Sequence, residues 1–262
     1  MTISVAIITH NEAANLPRTL ASLRWATQVV VVDAHSTDGT AALAREAGAE
    51  VFERAWTGFA AQKNFAIGQC TGDWVLSLDA DEEVSGELAE EIQELLSTPA
   101  DQILDSYYLP RRNFFLGRPL QHGGFYPDAK LRLFRRELFT SGKAAFDDRA
   151  VHETLRCDGT RGQLNGDLLH SAYPTLTSYI EHMNRYSSLG AGILVSKQRV
   201  SKSPVAFAWN VVCAPALQFF YNYGIRRGFL DGREGFLLHL YHAGYTSWKY
   251  AKAWELGRKA SR

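Results

Sequence analysis

The 262-residue sequence predicts an α/β fold, a mostly parallel sheet flanked by helices, with a helical, aromatic and basic region after it. Three observations predict this. Four short apolar, β-branched runs each precede a helix-forming segment within about the first hundred residues. Three of those runs end in polar or acidic residues, the feature of a sheet whose strand ends face a ligand. From residue 177 onward strand patterning gives way to helical, aromatic sequence. The expected division is a catalytic and nucleotide-binding domain over 1–175 and a helical region over 176–262.

Each element has its own signal. Ile3–Thr9 is a buried strand, ISVAIIT. Residues 15–27 form a helix with Leu16, Leu20 and Leu23 on one face. Residues 29–33 are a second buried strand, and 37–47 a helix stopped by Gly48. Glu50–Glu53 is a third strand, 58–67 a helix, and 73–79, DWVLSLD, a fourth strand. Residues 85–96 form an acidic amphipathic helix with Ser85 as N-cap. Shorter strands follow at 107–112, 131–135 and 164–170, read as an antiparallel extension covering the rim of the sheet.

The rim is where the chemistry gathers. The first strand ends in Thr9-His10-Asn11-Glu12, the second in Asp33 and the fourth in Asp79-Ala80-Asp81. In an extended segment, side chains two apart point the same way, so Asp79 and Asp81 are read as a pair of oxygen ligands for a hard divalent ion, Mg²⁺ or Mn²⁺. The plain alternative is a solvated turn opening the acidic helix. Asp33 is placed to accept hydrogen bonds from a ribose or a base, or else to cap the next helix. Lys63 can neutralise a phosphate or pair with the acidic rim, and Asn64 lies beside it; a surface lysine is the alternative.

Charge is balanced overall but unevenly placed. Residues 1–98 carry 5 Lys/Arg against 15 Asp/Glu, and residues 181–262 carry 12 against 4, so an acidic front faces one partner and a basic tail another. No nucleic-acid partner is expected. Three dispersed cysteines support neither a zinc site nor a disulfide framework and suggest a reducing compartment. The N-terminal sequence lacks the basic region and cleavage site of a signal peptide, so a cytosolic location is expected. No G-x-G-x-x-G follows the first strand, which disfavours a dinucleotide oxidoreductase.

Four segments, ISVAIITHNEAANLPRTLASL, VVVDAHSTDGT, AAQKNFAIGQCTGDWVLSLDADEEV and VHETL, together resemble the inverting nucleotide-sugar glycosyltransferases of family 2. Their fold is GT-A, a Rossmann-like, mostly parallel sheet flanked by helices. GGFYPDAKLRLFRR, LLHSAYPTLTSYI and YGIRRGFLDGREGF extend the likeness over nearly the whole chain, toward lipopolysaccharide inner-core β-glucosyltransferases. The resemblance implies transfer of a hexose, glucose foremost, from a UDP-sugar to a lipopolysaccharide core or related glycolipid. It implies nucleotide contacts at Thr9, Asn11, Glu12 and Asp33. It implies a metal motif at Asp79 and Asp81, with Asp81 the direct ligand and His170 an added one. It places the catalytic base at Glu153, although VHE departs from the family's commoner Glu-Asp pair. Glu153 can instead pair with Arg149 or Arg156, and His170 can be a core histidine. The alternatives to this function are a polyprenyl-phosphate glycosyltransferase and a sugar-nucleotide-binding protein that has lost catalysis.

Between Lys202 and Arg226 no residue is charged, and the run is rich in Phe, Trp and Tyr before Arg226, Arg227 and Arg233. That combination predicts an interfacial segment on the inner face of the cytoplasmic membrane. A packed helical or dimer contact and a true span are the alternatives, and a span would have to satisfy Asn210, Gln218 and Asn222.

Overall fold

The computed structural model describes residues 1–147 and 154–260. The chain forms two compact units, Met1–Arg112 with Asp128–His170, and Asn113–Pro127 with Ser171–Arg262. In the first unit β1 (Ile3–Thr9), α1 (Leu16–Ala21), β2 (Gln28–Asp33), α2 (Thr40–Glu46), β3 (Glu50–Glu53), α3 (Phe59–Gly68) and β4 (Trp74–Asp79) alternate as expected. There follow β5 (Glu82–Val84), α4 (Gly86–Ser97), β6 (Ser106–Leu109), β7 (Arg111–Phe115) and β8 (Arg118–Pro119). Then come β9 (Lys130–Arg135), α5 (Arg136–Thr140), β10 (Ala144–Asp147), β11 (Thr154–Cys157), β12 (Arg161–Gln163) and β13 (Leu168–Tyr173). The chain changes unit within β7 and within β13, and β8 belongs to the second unit.

The main sheet has the order β12-β6-β9-β4-β1-β2-β3. β1 lies between β2 and β4, parallel to both, and β3 is parallel to β2. Alternation sorts the strand residues between two cores. Val5, Ile7, Leu76 and Leu78 pack with Leu16, Leu20, Leu88 and Ile92 on one face. Ala6, Ile8, Val30, Val32 and Val75 pack with Ala60, Ala66 and Ile67 of α3 on the other. The Ser85 side chain accepts a hydrogen bond from the Leu88 amide, the cap expected for α4.

Two expectations are corrected. The strands near 107 and 131 do not cover the rim. β9 pairs antiparallel with β4, and β6 with β9, because β4 is buried along its length and its second edge needs partners. The first helix ends at Ala21. There the Ser22 hydroxyl bonds back to the Thr19 carbonyl and accepts from Val84 N, competing with further helix. Residues 82–84, which no pattern in the sequence marks, form a strand that pairs with β13 in the register Leu168↔Val84 and His170↔Glu82. The turn before β13 lies hard against α4, where a Cβ on Gly166 would come within 2.4 Å of the Leu88 Cα, so only glycine fits.

The second unit is mainly helical. α6 (Leu176–Ser196) opens with a capping box between Thr175 and Ser178. α7 (Pro204–Ala208), a π-helical turn over Trp209–Cys213, α8 (Ala214–Phe220) and a second π turn over Tyr221–Ile225 run on as one helical stretch. A 3₁₀ turn, Gly228–Asp231, leads into α9 (Gly232–Ala260). Tyr179 and Met183 of α6 pack with Leu238 of α9 and with Phe115 and Leu120. The Lys252 ammonium clasps the two helices, with Asn184 O and Oδ1, Ser187 Oγ and Ser188 Oγ all within 2.6–2.9 Å of its Nζ.

Candidate active site

The carboxyl ends of β1, β2 and β4 share one rim, fixed by the registers Thr9↔Asp33 and Ile8↔Asp79. The Thr9 hydroxyl is buried there with no hydrogen-bond partner among the described residues. Asn11 has φ +56°, and its Oδ1 accepts from Thr37 N at 2.9 Å while its own amide donates to Ser36 Oγ at 2.8 Å. Glu12 accepts from Asn15 Nδ2 at 2.8 Å. Burial raises the Glu12 carboxyl; the Asn15 bond opposes this, and the negative charges of Asp81, Asp38 and Asp79 reinforce it. Asp33 is buried and holds Ser36 through Oδ2 to the amide (2.8 Å) and Oδ1 to the hydroxyl (2.5 Å). Its carboxylate therefore shapes the loop before α2, close to the capping alternative; the N-cap position itself is Gly39.

The Asp-Ala-Asp triplet departs from the alternation expected of it. Asp79 closes β4, but Ala80 and Asp81 form the turn into β5, so the two carboxylates take different partners. Asp79 Oδ1 lies 2.7 Å from Lys63 Nζ and its Oδ2 2.6 Å from Arg132 Nη2. Asp81 Oδ2 lies 3.3 Å from His170 Nε2. The turn is fixed from behind by Thr19 Oγ1 donating to the Ala80 carbonyl and by Asp79 N donating to Glu82 Oε2. Of the expected metal residues, the fold brings Asp81 and His170 together and commits Asp79 to two cations.

Those cations belong to a larger network that residue spacing did not reveal. Glu82, fully buried, takes Arg132 Nη2 and Arg111 Nη1 at 3.1 Å each. Arg111 passes on to Asp128 at 2.5 Å, and Lys130 lies 2.8 Å from the other Asp128 oxygen. A signal for it existed: Arg132 sits inside the apolar strand LRLF, and a charge at a buried strand position requires a partner. Burial alone would push the Asp79 carboxyl up, but Arg132 and Lys63 outweigh it and hold it well below the usual range. Asp128 falls to about 2, its burial outweighed by Arg111 and Lys130.

A stability prediction follows from the sign of these shifts. A carboxylate with a depressed folded pKa contributes stability above its ordinary pKa, and this is lost as pH falls through the folded value. Urea unfolding of the wild type should therefore weaken between pH about 4 and about 2, the interval set by Asp128. Arg132→Met, which takes one of two cations from both Glu82 and Asp79 and leaves Arg111 and Lys63 on them, should cost about 3 kcal/mol near neutral pH. A variant as stable as wild type would show the network to be incidental.

Asn64 does different work from its neighbour Lys63. Its amide donates to the Phe146 carbonyl and accepts from the Phe146 amide, both at 2.8 Å, fastening α3 to β10. Asn64, expected at the nucleotide site, thus has a backbone partner on β10 at each end of its amide. Lys63 Nζ also lies 5.0 Å from the Phe146 ring centre. β10 and β11 pair antiparallel from Ala144↔Cys157 to Asp147↔Thr154. Glu153 lies outside the described residues, immediately before β11. Arg156, one of its alternative partners, lies 3.6 Å from Asp147 and 3.8 Å from Asp158.

Among the described residues no group of three or more His, Cys, Asp or Glu could hold a metal by itself. Asp81 and His170 offer one oxygen and one nitrogen donor, a set that suits Mn²⁺ or Mg²⁺ when substrate phosphates supply further ligands.

Comparison with known proteins agrees with this architecture. A family model described as glycosyl transferase family 2 matches residues 4–156. An uncharacterized glycosyltransferase of Rickettsia prowazekii (strain Madrid E) is 32% identical over 98% of this chain and 88% of its own length. The lipopolysaccharide core biosynthesis glycosyltransferase LpsC of Rhizobium meliloti is 31% identical over 97% and 92%. Among solved structures, the mannosyltransferase PcManGT from Pyrobaculum calidifontis in complex with GDP-Man and Mn²⁺ superimposes with a TM-score of 0.56 at 18% identity, covering 96% of this chain and 86% of that one. The S. aureus TarS fragment 1–349 gives 0.51 at 16%, covering 99% and 92%. Both likenesses concern the fold, which is GT-A.

Proposed function

We propose, from the premise that this chain belongs to glycosyl transferase family 2, that it transfers a hexose from a nucleoside diphosphate sugar to a lipid-linked saccharide. Glucose, UDP and a lipopolysaccharide core acceptor are the preferred identities, supported by the LpsC likeness for the acceptor. The observation that carries the reading is the Asp81–His170 pair at the rim, beside an Asp79 already neutralised by Lys63 and Arg132. Asp81 and His170 would hold a divalent ion, which supplies positive charge for the departing diphosphate. The unpartnered Thr9 hydroxyl and the Asn11–Glu12 turn would receive the nucleoside. Glu153 would take the proton from the acceptor hydroxyl as it attacks the anomeric carbon, giving inversion. A screen of nucleotide sugars with Mg²⁺ or Mn²⁺, read by nucleoside diphosphate release, tests the reading. No release from any of them would overturn it.

The uncharged stretch supports action at a membrane surface. Pro204–Ile225 is long and apolar enough to cross a bilayer, yet its faces differ. Asn210 donates to Ser201 Oγ at 3.0 Å and Gln218 accepts from Thr246 Oγ1 at 2.9 Å, so these polar side chains are satisfied within the unit. Val205, Trp209, Val212, Leu217, Phe220 and Ile225 are exposed. A helix packed on one side and apolar on the other fits the plane of an interface, at the inner face of the cytoplasmic membrane. Arg226, Arg227 and Arg233 add attraction of about 1 kcal/mol each to an anionic leaflet. Flotation with phosphatidylglycerol vesicles should show binding that weakens but persists as salt rises. Removing the three arginines should reduce only the salt-sensitive part. Protein wholly in the soluble fraction at low salt would refute this placement, and resistance to carbonate extraction would indicate a span instead.

A further inference from the structure

The second unit contains a pocket that the reaction at the rim leaves unused. It measures about 560 Å³, and Arg118, Gln121, His122, Leu230, Asp231 and Glu234 line it. Its base is a built structure. The buried Asp231 carboxylate accepts from the Gln121 amide (3.2 Å) and the His122 amide (2.9 Å), and pairs with His122 Nδ1 at 2.8 Å. Asp231 thereby spends itself on the loop and fixes the imidazole, leaving Nε2 as the ring nitrogen for a ligand. Arg118 Nη1 stands 3.6 Å from Glu234 Oε2, too far for a hydrogen bond, and both side chains are part-exposed. Arg118 lies over Gly232, whose φ is +71° and where a Cβ would come within 3.0 Å of Nη1.

A guanidinium, carboxylates, an amide and an imidazole held by Asp231 surround a small apolar patch that includes half-exposed Leu230. That is the chemistry of a sugar ring: hydroxyls take the polar groups while a C–H face lies on Leu230. A lone phosphate would meet the Glu234 carboxylate as well as the cations. Leu230 also continues into exposed Phe229, Phe236 and Leu240, so the pocket and an apolar surface occur in the same unit. We propose that this pocket binds a saccharide unit of the acceptor. The proposal rests on the reading of the chain as a transferase with a lipid-linked saccharide acceptor.

The test uses the full chain and de-O-acylated lipopolysaccharide core oligosaccharide as probe, with binding measured by calorimetry. Arg118→Met and Glu234→Gln should each weaken binding tenfold or more, and the double variant should abolish it, with melting temperatures near wild type. Wild-type affinity in both single variants, or no binding by the wild type, overturns the pocket. Hydrolysis of UDP-glucose by the wild type without acceptor is measured alongside. If hydrolysis proceeds while the oligosaccharide fails to bind, the pocket is wrong and the transferase reading stands. If binding depends on Arg118 and Glu234 but no nucleotide sugar is turned over, the pocket stands and the transferase reading fails.

Discussion

Asp81→Ala is expected to abolish nucleoside diphosphate release while the protein stays folded, and excess EDTA is expected to do the same to the wild type. The side chain is part-exposed in a turn, and its partner in the structure is His170. On the proposed reading its loss would remove a metal ligand without leaving a buried Lys or Arg unpaired. Asp79→Asn should behave differently, since it releases Lys63, 2% exposed, and Arg132, 7% exposed, from their common carboxylate. That variant should lose stability together with activity. Thermal unfolding measured beside turnover separates the two. Full activity in EDTA would end the metal-dependent reading.

Glu153→Gln should retain nucleotide binding and lower turnover by about 10²-fold or more, the scale of general-base catalysis. The amide keeps the shape of the side chain and removes its basicity, so the loss should fall on kcat rather than on the donor KM. Wild-type turnover by this variant would move the role elsewhere, with Asp147 and Asp148 examined next. Asp147 ends β10, the strand that Asn64 fastens to α3.

Much of the fold was legible because the first, second and fourth strands are short apolar runs, and their burial needs no knowledge of distant partners. The Ser85 cap was legible for the same local reason. What was not legible depends on register. β5 is three residues, too short for a pattern, and exists through its pairing with β13. Its presence turns Asp81 away from Asp79, which alternation alone would have aligned. The roles of Arg111 and Arg132 were hidden because their partners lie 17–53 residues away, on strands whose neighbours the sequence does not name. The tether made by Asn64 was hidden for the same reason, its partner being 82 residues distant. His170 reached the site list through family resemblance; physically it arrives there because His170 is opposite Glu82, next to the turn.

The ionic network also bears on how the first unit assembles. Lys63, Asp79, Glu82, Arg111, Asp128 and Arg132 come from α3, β4, β5, β7, the approach to β9 and β9 itself. A partly folded chain with β4, β5 and β13 in place but β9 absent would hold Glu82 out of water without Arg132, and desolvated charge short of a counterpart costs several kcal/mol. The buried charges would thus disfavour such half-built forms. The GT-A unit should therefore assemble and come apart in an all-or-none manner, with the parallel strands unable to persist once the antiparallel edge has left.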